Sequence, residues 1–177
     1  LANWAGVSEA TDTLDLAFII PDFLFYLSAG GYLAITLIPI MSEKKKSELN
    51  NYFLSILYGM SLIFVVFSLI TYSFRFQFAE LLGVTSLDFF VEVFTPIIFS
   101  QVFFFVGAIL MSYQYFHDNF KYAAIAPVVY NSTIIFFGWI NSSTPEGTIK
   151  GFAIGTLIGS VLGHFLIQIY GAKRSGL

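Results

Sequence analysis

An all-α, polytopic bundle of transmembrane helices is the fold class this chain predicts, on three observations. Hydrophobic residues fill 57% of the 177 positions and charged residues 11%, against roughly a quarter charged in ordinary soluble domains. Phe alone accounts for 22 residues and the mean hydropathy is +0.80, so the apolar surface exceeds what one globular core of this length can hide from water. Long uncharged stretches also recur at the length a bilayer demands, about 20 residues at about 1.5 Å of rise each.

The first fifteen residues hold Glu9, Asp12 and Asp15 and are too polar to span; they are expected to follow the end of an earlier helix. A first span is expected over 16–41. It carries one carboxylate, Asp22, and is interrupted by Pro21, Gly30, Gly31 and Pro39, a pattern that predicts a kinked helix. Four further spans, over 52–73, 93–113, 122–141 and 151–170, contain no Asp, Glu, Lys or Arg. About five full spans follow, in one transmembrane domain over 1–177, with no linker and no repeat of solenoid length.

Basic residues orient the bundle, because short cytoplasmic loops hold the Lys/Arg excess. Lys44, Lys45, Lys46, Lys121, Lys173 and Arg174 fall in alternate connections, and only Arg75 and Lys150 fall on the other side. The six are assigned to the cytoplasm, and the other side then receives Glu9, Asp12, Asp15, Glu80, Asp88, Glu92 and Glu146. The three consecutive lysines are read as a solvated topogenic anchor, with contact to anionic lipid as the alternative.

Several function classes drop out. A net charge of −3 and the lack of a Lys/Arg stripe argue against nucleic acid. Without Cys there is no thiolate nucleophile, disulfide framework or Cys-based metal site. His117 and His164 lie in different segments without metal-ligand spacing, and no hydrolase elbow, P-loop or dinucleotide fingerprint occurs. No catalytic set, metal or cofactor is expected. His164 reads as a hydrogen-bonded packing residue.

Two patterns within the spans carry information. Gly151, Gly155, Gly159 and Gly163 form overlapping G-x-x-x-G steps on one helix face, where a neighbouring backbone can approach closely. That seam is either static packing or a sliding surface of a transporter. Asp22, Gln101, Asn131, His164 and Gln168 are polar within apolar segments, and such residues face a bundle interior or a wet cavity. Pro21, Pro39, Pro96 and Pro127, within or at the edges of spans, suit helices that bend.

In order and spacing, Ala10-Thr11-Asp12, Ala17-Phe18, Pro21, Ala29-Gly30-Gly31 and Ile38-Pro39-Ile40 resemble the second-helix signature of the bacterial lipid II flippases, the MurJ/MviN group of the multidrug/oligosaccharidyl-lipid/polysaccharide exporter superfamily. Ala124-Ile125-Ala126-Pro127 with Asn131 resembles the motif opening that family's fifth helix. Gly159 through Gln168, then Lys173-Arg174-Ser175-Gly176, resembles the end of its sixth. The resemblance covers nearly the whole chain. It implies the first lobe of a two-lobed transporter that alternates access to a central cavity and moves a polyprenyl-pyrophosphate-linked peptidoglycan precursor from the inner to the outer leaflet of the bacterial cytoplasmic membrane. Membrane lipids and the remaining helices of the same transporter are the implied partners.

Against the family pattern, Phe25 and Tyr26 stand where members carry a basic pair, and Gly30 where they carry an acid. The second-helix contribution to a cationic cavity is therefore missing. Asp12 matches the family and is read either as a gating carboxylate or as a helix cap. The candidate cavity or gating residues are Asp12, Asp22, Phe25, Tyr26, Asn131 and Gln168; the candidate hinge and packing residues are Pro21, Gly30, Gly31, Gly155, Gly159 and Gly163. The alternatives are a related exporter of another lipid-linked glycan or of a hydrophobic cation, and a non-transporting membrane scaffold of the same fold.

Overall fold

A computed structural model describes residues 5–28 and 32–177, and all regular structure among them is helical. The elements are α1 (Glu9–Ser28), α2 (Tyr32–Ser42), α3 (Leu49–Ser73), α4 (Arg75–Leu81), α5 (Leu87–Phe116), α6 (Lys121–Ile140), α7 (Pro145–Gly159), a π-helical stretch over Ser160–Ile167, and α8 (Gln168–Arg174). The last three are continuous over Pro145–Arg174. Among the described residues, α3, α5, α6 and this composite helix are each long and apolar enough to cross a membrane.

The first expected span is covered by two described helical stretches, and its Gly30-Gly31 interruption lies outside the described residues. Helix starts at Glu9, seven residues before the expected boundary of 16, and continues through Pro21 to Ser28; a second helix begins at Tyr32. Polarity had excluded residues 9–15 from a span, but polarity does not prevent helix formation, because the helix end lies where water is available. Ser8 starts it: the Thr11 amide donates to Ser8 Oγ at 3.3 Å, and Glu9 and Asp12 occupy the first turn, where negative charge complements the helix dipole. The cap is thus Ser8 and not Asp12. Gly30 and Gly31 lie outside the described residues.

The longest α-helix, α5, is the central post. Its Phe90, Phe94, Ile97 and Ile98 join Ala10, Leu14 and Ala17 of α1 and Ile149, Phe152 and Ala153 of α7 in one apolar cluster. Lower on the same helix, Phe105, Val106, Ile109, Leu110 and Tyr113 pack with Leu37 and Met41 of α2 and Phe53 and Phe64 of α3. Phe64 and Phe105 stack with centroids 3.7 Å apart. Outward, α3 and α6 leave Leu62, Ile63, Ile70, Ile135 and Phe136 exposed, which suits lipid rather than water as the surrounding solvent.

The glycine face packs on α6. A Cβ at Gly155 would lie 2.8 Å from Ile134 Cα, at Gly159 2.9 Å from the Tyr130 carbonyl oxygen, and at Gly163 2.6 Å from that of Ala126, while Gly151 meets Phe137. The two helices therefore run antiparallel, backbone against backbone. In an α-helix each four-residue step precesses by about 40°, since 3.6 residues make a turn. Over three steps Gly163 would drift well off the seam. The π-helical turns from Ser160 lower that precession, and Gly163 still faces Ala126.

The expected cytoplasmic loops meet at one end. Tyr113 Oη donates to Asn50 Oδ1 at 2.6 Å, Asn50 Nδ2 to the Gly176 carbonyl at 2.8 Å, and Asn119 Nδ2 to Ser175 Oγ at 2.9 Å. These bonds tie together the segments that follow Lys44–Lys46, precede Lys121 and follow Lys173. At the opposite end Glu9 accepts from Thr85, and Glu92 pairs with Lys150.

Candidate functional site

Between the two apolar clusters, α5 turns Gln101 into a recess of about 190 Å³ lined by Phe18, Asp22 and Tyr26 of α1, Gln101 and Phe104 of α5, and Tyr130 of α6. Asp22 and Tyr26 are exposed at its rim, one helical turn apart, and Gln101 is only 5% exposed at its base. From Glu9 to Asp22 is about 20 Å along α1 at 1.5 Å per residue. Gln101 and Tyr130 also sit near the middle of their helices. The recess therefore lies away from the ends of these helices, near mid-length of α5 and α6.

Its chemistry is acidic and aromatic. The first Lys or Arg in the chain is Lys44, and among the described residues no basic side chain pairs with Asp22. Tyr130 shares the lining with Asp22. Behind the recess His164 packs against Phe104 at 4.3 Å and Tyr130 at 5.4 Å between ring centroids. His164 was expected to be a hydrogen-bonded packing residue; it packs through tilted and edge-on ring contacts, and no hydrogen bond of its imidazole to the described residues accompanies them. Its backbone carbonyl meets Gly107, whose missing Cβ lets α5 and the π-helical stretch close up.

The other candidates do not converge there. Gln168 is buried elsewhere, where Gln114 Nε2 donates to its Oε1. Asn131 is exposed and donates to the Pro127 carbonyl at 2.8 Å, a bond inside its own helix. Asp12 is exposed at the end of α1, beside a small hollow lined also by Glu9, Thr13, Gly83 and Thr85. The Phe25 side chain lies outside the described residues. Pro21 is buried within α1, and Gly155, Gly159 and Gly163 form the seam on α6. Sequence reasoning missed Phe18, Phe104 and Tyr130, since aromatic residues are too common in this chain to stand out, and it missed Gln114 as the partner of Gln168.

A multi-pass α-helical membrane protein with a polar recess between its helices is what the fold and site define. A family profile described as lipid II flippase MurJ matches residues 1–177. The chain belongs to the MurJ lipid II flippase family, whose name is that of a transporter and not of an enzyme. A curated relative, the lipid II flippase MurJ of Thermosipho africanus (strain TCF52B), is 30% identical over 173 residues, covering 94% of this chain and 35% of the relative. The chain thus spans about a third of that relative's length. No solved structure matches it.

Proposed function

We propose that this chain forms the amino-terminal lobe of a flippase that carries lipid II, a polyprenyl-pyrophosphate-linked peptidoglycan precursor, from the inner to the outer leaflet of the bacterial cytoplasmic membrane. Membership of the family supports the substrate. The observation that carries the reading is the placement of Asp22. A carboxylate near the centre of a span costs about 2.5–3.5 kcal/mol on insertion scales and faces a bundle interior or water rather than lipid. An exposed Asp22 that lines the recess therefore marks the face that looks onto the transport cavity, closed by the remaining helices of the same transporter. In this reading α1, α5 and α6 line one wall, five spans make the lobe, and the loops around Lys44–Lys46 and Lys121 and the tail at Lys173 are cytoplasmic.

This wall offers a pyrophosphate no cation. Phe25 and Tyr26 carry no charge, so compensation for the desolvated substrate comes from other parts of the full-length protein. Reconstitution of the full-length protein in proteoliposomes loaded with fluorescent lipid II tests the proposal. Lipid II should become accessible to an impermeant quencher from both sides only when the protein is present. Accessibility unchanged from protein-free vesicles would reject it.

A further inference from the structure

We propose that the Asp22 recess is a binding site for a monovalent alkali-metal cation, held by the Asp22 carboxylate, the side-chain carbonyl of Gln101 and the Tyr130 hydroxyl. Binding rests on the geometry; its use to drive transport rests on the flippase reading above.

The base of the recess is the first argument. Gln101 is 5% exposed, lines the recess, and its amide makes no hydrogen bond with the described residues. A polar side chain so buried is ordinarily partnered, because leaving it unsatisfied is costly. Gln101 also sits between two apolar clusters that could have been continuous had the position been Leu. Its amide opens onto the recess, where a ligand can take its oxygen.

The charge balance identifies the ligand. Neither α1 nor α2 contains a Lys or Arg, and α5 contains none over its thirty residues. On α6 the cation is Lys121, at the helix end; on α7 Lys150 pairs with Glu92; His164 is packed behind the rings of Phe104 and Tyr130. Among the described residues no protein cation therefore neutralises Asp22. One carboxylate with two neutral oxygens is a hard donor set of single negative charge. Divalent calcium sites use more carboxylates, and transition metals favour nitrogen or sulfur, whereas among the described residues no group of three His, Cys, Asp or Glu assembles. A proton would neutralise Asp22 but would draw no ligand oxygen from Gln101 or Tyr130, which line the same recess. The walls given by Phe18 and Phe104 lower the local dielectric, which strengthens the attraction of Asp22 for a cation.

The test uses the purified full-length protein. Melting is followed while NaCl or KCl replaces N-methylglucamine chloride at constant ionic strength, for wild type, Asp22→Asn, Gln101→Leu and Tyr26→Lys. Wild type should show a saturable rise in Tm with at least one alkali cation. Asp22→Asn should lose the part of that rise assigned to this site, and Gln101→Leu should shift its midpoint to higher concentration. Tyr26→Lys, one turn from Asp22, tethers an ammonium to the recess; it should melt high without added cation and respond no further. A response unchanged in Asp22→Asn and Tyr26→Lys overturns the proposal, as does a wild type stabilised by acidification alone. An intact cation response with no lipid II movement rejects the flippase reading only. Lipid II movement with a response indifferent to Asp22 rejects this site only.

Discussion

Gln114 on α5 donates its side-chain amide to Oε1 of Gln168 at the start of α8, and both residues are shielded from the surroundings. Gln114 Nε2 also reaches the Gln168 carbonyl at 3.3 Å, while its own Oε1 finds no partner among the described residues. Gly171 makes room for this amide, since a Cβ there would overlap it. Polar pairs of this kind between membrane helices couple by about 0.6 kcal/mol on average and up to about 1.7 kcal/mol. Gln168→Leu should therefore destabilise by about 1–2 kcal/mol by stranding Gln114, and Gln114→Leu with Gln168→Leu should recover part of that loss. A double-mutant cycle on detergent melting measures it. Strictly additive losses would mean that the two amides do not act as a pair.

The seam between α6 and α7 gives a steric prediction. Gly155→Leu places four carbons where Ile134 Cα would already be 2.8 Å from the first of them, so the helices must separate. A loss of at least 1–3 kcal/mol, roughly the cost of overpacking, is expected. Ile154→Phe, at a position 44% exposed on the same helix, should shift melting little. Equal tolerance of both substitutions would contradict a close-packed seam.

Topology can be read by labelling. In a full-length background without other cysteines, Cys at the exposed Ser47 should resist an impermeant thiol reagent applied outside intact cells, and Cys at the exposed Ser143 should react. The expectation follows from the placement of the six basic residues and from the hydrogen bonds that gather their loops at one end. External labelling of Ser47→Cys would invert the assignment.

Ser8 and Asp12 separate capping from transport. Ser8→Ala should lower stability by about 0.5–2 kcal/mol through loss of the cap to Thr11. Asp12→Asn removes only a favourable charge in the first turn, about 0.3–1 kcal/mol. If lipid II movement falls with Asp12→Asn while melting holds, the carboxylate has a gating role; parallel loss of both assigns it to the helix.

Periodicity and charge made much of the fold legible in the sequence. The uncharged runs beginning at Tyr52, Val93 and Gly151 fall within α3, α5 and the composite last helix, and the run beginning at Tyr122 lies within α6 but for Asn141, its C-terminal cap. Glycine spacing identified a packed face, because a missing side chain is visible in one dimension. Its partner was not, since nothing local to Gly155 names Ile134. The polar residues 9–15 were read only as unable to span, and the helix start there was left unassigned, although Ser8 followed by Glu9 and Asp12 is itself a start signal. At the site, Asp22, Tyr26 and Gln101 stood out as polar groups or by resemblance, whereas Tyr130 was hidden beside Asn131, whose amide turned out to serve its own helix. Which polar residues converge depends on helix rotation about α5, and sequence alone fixes that poorly.

The wide turns over Ser160–Ile167 make the length of that segment matter as much as its composition. Upstream, Gly151 to Gly163 are keyed to α6; downstream, Gln168 and Gly171 are keyed to Gln114 on α5. One residue subtends about 100° of an α-helix. Deleting a single residue there would swing everything after it by that angle, taking Gln168 off Gln114 and Ser175 off Asn119, although no contacting side chain had been altered. The two halves of this helix thus behave as gears meshed to different wheels, with the π-helical stretch setting the phase between them.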